Sequence, residues 1–166
     1  MLIQFIGPDR TAKTTIAQII SKLLNISYYR NNNTKEYFKN NEIDLSVEYE
    51  SRFFIDYLKQ VPTNLIMDRG IACHFSYSLA LDRQFNENFI WQIDEEFSKL
   101  KLKLIYCFKK EYKIYIDDVI NQNKIKLIKQ YYIEFLKKTK CEYLILDTTD
   151  ENLENQILKI KEFIGE

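Results

Sequence analysis

The sequence predicts an α/β protein in which a five-stranded parallel sheet carries helices on both faces. Two observations lead to this fold class. Short apolar segments of strand length alternate with longer segments whose apolar residues have helical spacing. The strand-like segments are also mostly apolar, which is typical of parallel strands that are buried on both faces. Residues 1–166 contain no internal repeat and no linker-like segment, so we expect one domain.

The alternation is clear in the first half of the chain. Residues 2–6 are mostly apolar and end at Gly7, which indicates a buried strand and a turn. Residues 14–24 have the apolar spacing of a helix, and residues 26–29 predict a second strand. A polar break precedes a helix over residues 43–61, which ends before Pro62. Residues 65–67 predict a third strand that ends at Asp68.

The second half repeats the pattern. Helices are expected over residues 71–82 and 87–100, and residues 102–108, rich in Ile, Tyr and Phe, predict a fourth strand. A polar, lysine-rich segment follows, and then a helix over residues 124–138. Residues 143–146 predict the fifth strand, and residues 153–164 predict a closing amphipathic helix. Ligands of such sheets bind beyond the carboxyl ends of the strands, so functional residues are expected there.

Composition argues against several classes of function. The formal net charge is zero at pH 7, whereas nucleic-acid-binding proteins usually have a basic excess, so we expect no nucleic-acid partner. No apolar stretch is long enough to cross a bilayer, and the first residues lack the features of a secretory signal. Three scattered cysteines suit a reducing compartment, which predicts a cytoplasmic protein. The abundance of Ile, Lys and Asn suggests an A/T-rich genome such as that of a bacteriophage, in which case the compartment is the host cytoplasm.

A phosphate-binding motif follows the first strand. Residues 7–14 read GPDRTAKT and match the pattern G-x-x-x-x-G-K-[ST] except that Ala12 replaces the second glycine. In this pattern backbone N–H groups and a helix N-terminus hold phosphates. Lys13 is then expected to reach the β- and γ-phosphates of ATP, and the Thr14 hydroxyl to bind Mg²⁺. An ordinary strand-to-helix turn is the alternative, and the buried strand before the motif and the helix after it favour the phosphate loop.

Ala12 is the departure from this motif. If position 12 requires a positive φ, alanine costs on the order of 1 kcal/mol there. We interpret Ala12 as tolerated variation. The alternative that it motivates is a nucleotide-binding protein without catalysis.

Two segments resemble the thymidylate kinase family. FIGPDRTAKTT, residues 5–15, is similar to the phosphate loop of those enzymes, in which an acid and an arginine commonly precede the small residues and the lysine. LIMDRG, residues 65–70, resembles the Asp-Arg-aromatic motif that ends their third strand, with Gly70 in place of the aromatic residue. Small phage deoxynucleoside monophosphate kinases share this combination, and residues 143–164 resemble their C-terminal segment. The resemblance implies a P-loop NTPase fold and transfer of the ATP γ-phosphate to a deoxynucleoside monophosphate, with Mg²⁺.

The resemblance also implies roles for individual residues. Arg10 would approach the transferring phosphoryl group and Asp9 would face the acceptor's sugar. Asp68 would hold Mg²⁺ through water or orient the acceptor, and Arg69 would grip the acceptor phosphate. Arg52, on the helix before the third strand, matches more loosely a second arginine that grips this phosphate. The residues implied to bind ATP are Gly7, Asp9, Arg10, Thr11, Ala12, Lys13, Thr14, Thr15, Asp147, Thr148 and Thr149. The last three follow the fifth strand, where the family places its adenine-contacting loop.

The distribution of arginines supports these roles independently. The chain has five arginines, and Arg10 and Arg69 fall at the expected carboxyl ends of strands. Two polyanions have to be held together during phosphoryl transfer, so cations are needed from several directions. The Arg69 guanidinium is therefore expected in the same cleft as Lys13. A surface ion pair is the alternative for Arg69 and for Arg52.

Several alternatives remain open at this stage. The acceptor is either a nucleotide or a nucleoside, and a kinase acting on bases in DNA is disfavoured because no basic track is evident. The segment 109–123 lies where these kinases have a mobile lid. The sequence leaves the oligomeric state open, with a homodimer as one option.

Two groups of side chains have structural as well as functional interpretations. We expect His74 to pack against neighbouring residues, with lining of the acceptor pocket as the alternative. Phe53, Phe54 and Tyr57 have helical spacing, and we expect them in the core, although such rings can also stack on a base.

Overall fold

The computed structural model describes residues 1–30, 43–111, 122–150 and 152–166. Within these ranges strands and helices alternate in the order β1 (Leu2–Ile6), α1 (Lys13–Leu24), β2 (Ser27–Arg30), α2 (Ile43–Gln60), β3 (Leu65–Asp68), α3 (Ile71–Ala80), α4 (Glu87–Lys99), β4 (Leu102–Phe108), α5 (Gln122–Lys138), β5 (Glu142–Asp147) and α6 (Leu153–Ile164). Most of the expected lid, residues 112–121, lies outside the described residues.

The five strands form one parallel sheet in the order β2-β3-β1-β4-β5. The strand that precedes the phosphate loop, β1, is therefore central. It pairs with β3 so that Phe5 lies opposite Asp68, and with β4 so that Ile6 lies opposite Tyr106. This register places the loop after β1 and the Asp68-Arg69 pair after β3 side by side at the carboxyl edge of the sheet.

Both faces of the sheet are covered by helices, as the mostly apolar strands predict. On one face, Leu2 and Ile6 of β1 pack with buried residues of α2, α3, α4 and α5. On the other face, Ile3 and Phe5 pack with buried residues of α1 and α6. The side chains of β1 thus alternate between the two core layers, and these layers hold the loop after Ile6 against a rigid support. In the described ranges, each helix is too short or too polar to span a bilayer.

The aromatic residues of α2 correct one sequence expectation. Phe54 is half-buried and packs edge-on against Tyr29, with ring centres 4.6 Å apart. Phe53 and Tyr57, which we also expected in the core, are instead exposed. The helix buries Val47, Ile55 and Leu58, because this is the ridge that faces the sheet and α4.

Candidate active site

The loop between β1 and α1 contains one glycine and two other residues with positive φ values. Gly7 has φ 139°, and a Cβ atom at this position would lie 2.1 Å from the carbonyl oxygen of Cys107. Both the φ value and the close approach to β4 therefore require glycine. Arg10 and Ala12 have left-handed φ values of 64° and 57°. Such strain in residues other than glycine clusters at ligand sites, where the surrounding structure maintains it.

Ala12 occupies the position before the first turn of α1. Its φ of 57° and ψ of 6° lie in the left-handed region, where the glycine of the usual motif has no steric penalty. The Ala12 carbonyl accepts the first helical hydrogen bond, from the Ile16 N–H, at 3.0 Å. The substitution has therefore kept the left-handed backbone, and the N–H groups of the first helical turn remain available at the loop.

Hydrogen bonds from buried side chains fix the loop. The Thr11 hydroxyl donates to the Pro8 carbonyl at 2.9 Å, and the Tyr132 hydroxyl of α5 donates to the Gly7 carbonyl at 3.1 Å. The Thr148 hydroxyl, after β5, lies 3.0 Å from the Thr11 carbonyl. The loop is thus held by residues from α5 and from the segment after β5, both distant in sequence.

Two cations converge on one carboxylate oxygen in this loop. Lys13 is buried, and its Nζ donates to the Pro8 carbonyl at 2.9 Å and lies 3.8 Å from Asp9 Oδ1. Arg69 Nη2, from the end of β3, donates to the same Asp9 oxygen. The Arg69 guanidinium therefore lies in the same cleft as Lys13, as the sequence analysis predicted. A single anionic oxygen already lies between the two cations.

The electrostatics of this cluster follow from burial and charge. Burial lowers the pKa of Lys13, as does the nearby Arg69, while Asp9 opposes this shift. Burial alone would raise the pKa of Asp9, but Arg69 and Lys13 outweigh it and hold that pKa below its ordinary value. Asp9 is therefore ionised at neutral pH and balances part of the positive charge of the cleft.

A second polar cluster surrounds Asp68 at the end of β3. Asp68 is fully buried, and its Oδ2 accepts hydrogen bonds from the Thr14 hydroxyl at 2.5 Å and from the Tyr28 hydroxyl at 3.0 Å. Arg30 Nε lies 4.0 Å from the same oxygen. Burial and the adjacent Asp68 raise the pKa of Tyr28 to about 12, which keeps its hydroxyl a donor.

The other carboxylate oxygen of Asp68 is an orphan. Among the described residues, Oδ1 is buried and has no hydrogen-bond partner. The described ranges contain no group of three His, Cys, Asp or Glu side chains that could hold a metal ion. A hydroxyl and a carboxylate at the edge of a phosphate loop nevertheless fit Mg²⁺, which takes oxygen ligands and is usually bound by one or two side chains together with phosphates. The oxygen atoms of Thr14 and Asp68 are therefore chemically suited to bind Mg²⁺.

A small cavity of about 20 Å³ lies next to Arg69, between the sheet and α2. Gln4 of β1 and Glu50 of α2 contribute to its lining. A Cβ atom at Gly70 would lie 2.2 Å from the Gln4 amide nitrogen. In the described part of the chain, Gln4 Oε1 is buried without a hydrogen-bond partner. Gly70, at the position of the aromatic residue in the thymidylate kinase motif, thus makes room for a buried amide beside Arg69.

The segment after β5 lies against the phosphate loop. Thr148 contacts it as described, and the Thr149 N–H and hydroxyl donate to Asp147 Oδ1 at 2.9 and 2.5 Å. Lys110, after β4, lies 3.2 Å from Asp147 Oδ2. The segment that the resemblance assigns to adenine contact is therefore ordered by its own hydrogen bonds and lies beside the loop.

Two residues singled out from the sequence lie elsewhere. Arg52 Nε and Nη2 both donate to Glu48 Oε1, at 3.0 and 2.9 Å, and its guanidinium lies 5.4 Å from the centre of the Phe89 ring. The structure thus does not bring Arg52 to Lys13 and Arg69. His74 is buried in α3, contacts the Phe85 ring edge-on and lies 3.5 Å from the Ser78 hydroxyl, which confirms the expectation that it packs. Thr15 is exposed in the first turn of α1.

Sequence reasoning missed four side chains that support the site. Arg30 falls at the carboxyl end of β2, and extending the expected strand by one residue would have revealed this position. Tyr28 precedes it by two residues, so it points to the same face. Tyr77 accepts a hydrogen bond from the Asp9 N–H at 3.0 Å, and Tyr132 binds the loop from α5. These last two tyrosines lie inside helices, and no local pattern distinguishes them from the other ten in the chain.

Comparisons with known proteins bear on the fold of the chain. No family model and no curated protein matches the sequence. Several solved structures match over nearly the whole chain. The YorR protein of Bacillus subtilis, in complex with phosphorylated GDP, is 20% identical, with 100% of this chain and 99% of that chain covered and a TM-score of 0.68.

Two kinases are also similar over the whole chain. Deoxyadenosine kinase from M. mycoides with bound dATP is 18% identical, with both chains fully covered and a TM-score of 0.67. Thymidylate kinase from Ehrlichia chaffeensis is 16% identical, with 100% of this chain and 98% of that chain covered and a TM-score of 0.60. At such low sequence identity, the structural similarity shows the fold alone. It confirms the fold that the resemblance implied: this chain has the α/β P-loop fold seen in these kinase structures.

Proposed function

We propose that this protein is a deoxynucleoside monophosphate kinase, which transfers the γ-phosphate of ATP to a deoxynucleoside monophosphate. The convergence of Lys13 and Arg69 on one oxygen of Asp9 is the observation that carries this proposal. A donor and an acceptor that both carry phosphate repel each other. Cations that reach one point, Lys13 from the start of α1 and Arg69 from the residue after β3, offset that repulsion and align the reacting groups.

Each residue of the loop has a part in the proposed reaction. The backbone N–H groups of the loop and of the first turn of α1 hold the ATP phosphates, and Lys13 and Arg10 stabilise the charge of the transferring group. Arg69 holds the acceptor phosphate. Its ion pair with Asp9 has to break before the guanidinium can do so. An oxygen of that phosphate attacks the γ-phosphorus, and the bond from the γ-phosphorus to the β,γ-bridging oxygen breaks, leaving ADP. The attacking oxygen is already ionised, so no general base is needed, and a packed His74 is compatible with this chemistry.

Thr14 and Asp68 are the proposed ligands of Mg²⁺, directly or through water. When bound, the ion neutralises charge on the β- and γ-phosphates. The orphan Oδ1 of Asp68 and the adjacent Thr14 hydroxyl support this assignment. The segment Asp147, Thr148 and Thr149 is proposed to lie against the adenine, because its contact with Thr11 places it at the phosphate loop.

A deoxynucleoside kinase is the second candidate, and one observation favours it. Arg69 is already paired with Asp9, and an arginine that stays in this ion pair does not bind an acceptor phosphate. The fold similarity includes a deoxyadenosine kinase as well as a thymidylate kinase, so it supports either acceptor. If the protein binds nucleotide without transferring phosphate, the strained Ala12 would be the first residue to examine.

One screen distinguishes these candidates. ADP release is measured with ATP and Mg²⁺ against the four deoxynucleoside monophosphates and the four corresponding deoxynucleosides. The proposal requires turnover with at least one monophosphate and at least about 100-fold lower kcat/KM with every nucleoside, since loss of a charged contact costs a few kcal/mol. The Lys13→Ala variant controls for contaminating kinases. Preference for a nucleoside would support the deoxynucleoside kinase. ATP binding without phosphate transfer to any of the eight acceptors would support the non-catalytic nucleotide-binding protein.

A further inference from the structure

A buried amide interrupts the apolar strand at the centre of the sheet. Gln4 of β1 is only 2% exposed, and it is the one polar residue between Leu2 and Ile6. Among the described residues, its Oε1 has no hydrogen-bond partner. A buried acceptor without a partner is destabilising, and native proteins contain few of them. A ligand that donates a hydrogen bond to Oε1 would account for this one.

Gly70 leaves the space that this amide occupies. A Cβ atom at position 70 would lie 2.2 Å from Gln4 Nε2 and 2.8 Å from Gln4 Oε1, so any other residue there would displace the amide. Gly70 directly follows Arg69 in the chain. The amide is therefore held next to the residue that is proposed to bind the acceptor phosphate.

Gln4 lines the small cavity beside Arg69, which has a volume of about 20 Å³. Much of the remaining lining is apolar and includes Phe54, Met67 and Phe97. Ligand sites typically have such apolar walls, with a few polar groups that fix the orientation of the ligand. A cavity of this volume holds about one water molecule. It therefore admits one small polar group of a ligand and not a whole ring.

The polar groups around the cavity favour a hydrogen-bond donor in that place. Glu50 also lines the cavity, and its Oε1 accepts a hydrogen bond from the Tyr29 hydroxyl at 2.5 Å. Burial and this hydrogen bond raise the pKa of Tyr29, so its hydroxyl remains a donor to Glu50. The Arg69 guanidinium donates to Asp9. The amide oxygen of Gln4 and the carboxylate of Glu50 are both acceptors, and a ligand atom that carries N–H groups suits them better than a further oxygen atom.

We propose that Gln4 determines which base the acceptor carries, and that the cavity takes an exocyclic amino group whose N–H donates to Gln4 Oε1. This inference rests on the proposed function, since it takes the acceptor phosphate to lie at Arg69. Adenine, cytosine and guanine each have an exocyclic amino group, whereas thymine has the carbonyl oxygen O4 where cytosine has its amino group. That oxygen would face Gln4 Oε1, and two acceptors form no hydrogen bond. The protein is therefore expected to discriminate against thymidylate, although two of its motifs resemble those of thymidylate kinases.

The test compares nucleotides that differ at the amino group, by calorimetric titration of the full chain. The pairs are dCMP with dUMP, dGMP with dIMP, and dAMP with the monophosphate of purine deoxyriboside. In at least one pair the amino-bearing nucleotide should bind at least about 10-fold more tightly, because the other member leaves Oε1 unpaired. Gln4→Met keeps an unbranched side chain but has no amide, so the ratio of the two Kd values should fall to within about 2-fold of one. A purely structural role of Gln4 would weaken both members equally and leave their ratio unchanged.

Three controls accompany this comparison. Gln130→Met should keep the wild-type ratio, since Gln130 is exposed on α5 and donates to Glu134 of the same helix. Gly70→Ala retains Gln4 but displaces its amide, so the ratio should fall in this variant as well. Thermal unfolding should show that Gln4→Met is folded, with a Tm no lower than that of the wild type, because the substitution removes an unpaired buried group.

Binding and turnover together separate this inference from the proposed function. If the protein binds the amino-bearing nucleotides more tightly but transfers no phosphate to them, the proposed function fails and the role of Gln4 stands. Equal or absent binding in all three pairs overturns the inference, as does tighter binding of dUMP than of dCMP. A wild-type ratio in Gln4→Met also overturns it, whether a water molecule or another part of the chain proves to be the partner of Oε1.

Discussion

Replacing Ala12 by glycine should stabilise this protein, although the substitution removes a side-chain carbon. Ala12 has φ 57° and ψ 6°, and the left-handed conformation costs an L-residue roughly 1–2 kcal/mol. Glycine removes that cost but adds about 0.4–1 kcal/mol of conformational entropy to the unfolded chain. These ranges leave a net gain of about 0–1.6 kcal/mol, with a midpoint of about 0.8 kcal/mol. For a domain of this size, that gain corresponds to a rise in Tm of about 1–4 °C.

The assay is thermal unfolding without ligand, followed by calorimetric titration with ATP. Because the backbone conformation is unchanged, the Kd for ATP should stay within about 3-fold of the wild-type value or improve. Lys101→Gly is a matched control, since Lys101 also has a left-handed φ, 59°, but lies in the exposed turn between α4 and β4. It should raise Tm similarly and leave ATP binding unchanged. A lower Tm, or a large loss of ATP affinity, in Ala12→Gly alone would show that the Ala12 methyl group makes a favourable contact and would refute the strain argument.

The remaining predictions concern the charged cluster. Lys13→Ala should lower kcat by at least about 100-fold in the ADP-release assay, because it removes a charge aimed at the transition state, while Lys22→Ala on the same helix should not. Near-wild-type turnover in Lys13→Ala would exclude the phosphate-loop assignment. Arg69→Lys keeps the charge but loses the guanidinium fork, so the acceptor KM should rise about 10-fold or more while the Kd for ATP changes little; equal weakening of ATP binding would place Arg69 at the donor. Asp9→Asn should lower stability at pH 7, and the deficit should shrink as the pH falls below about 4. Folding lowers the pKa of Asp9, so the contribution of its carboxylate is present above the unfolded-state value of 3.8 and is lost below it. A deficit in unfolding free energy that is independent of pH would show that Asp9 acts through its shape alone.

The sequence predicted those parts of the fold and site that depend on local patterns. The bounds of β1, β4 and α6 agree with the expected ranges, and the other strands and helices differ by only a few residues at their ends. Asp68 and Arg69 lie beside the phosphate loop because β3 pairs with β1, and the general rule for parallel sheets was sufficient to expect this position.

The errors come from features that periodicity does not determine. In α2, two faces carry apolar residues, and both are compatible with an amphipathic helix. The sequence does not show which of them faces the sheet, so Phe53 and Tyr57 were wrongly expected in the core. Arg52 is on the helix that was expected, but its orientation toward Phe89 depends on how α2 packs on α4. Tyr132 reaches Gly7 across 125 positions of the chain, a contact that only the tertiary fold can create.

The contact between Gly70 and Gln4 links a position on β1 with one in the turn between β3 and α3 in any future change of sequence. A side chain at position 70 would begin only 2.2 Å from the Gln4 amide nitrogen, so an aromatic residue there requires the Gln4 side chain to move away or to be replaced by a smaller one. If position 70 is changed first, the aromatic side chain meets the Gln4 side chain. The effect of an aromatic residue at position 70 is therefore expected to depend on the residue at position 4, and a mutational scan that changes one position at a time does not measure this dependence. A library that varies positions 4 and 70 together would find the combinations that such a scan excludes.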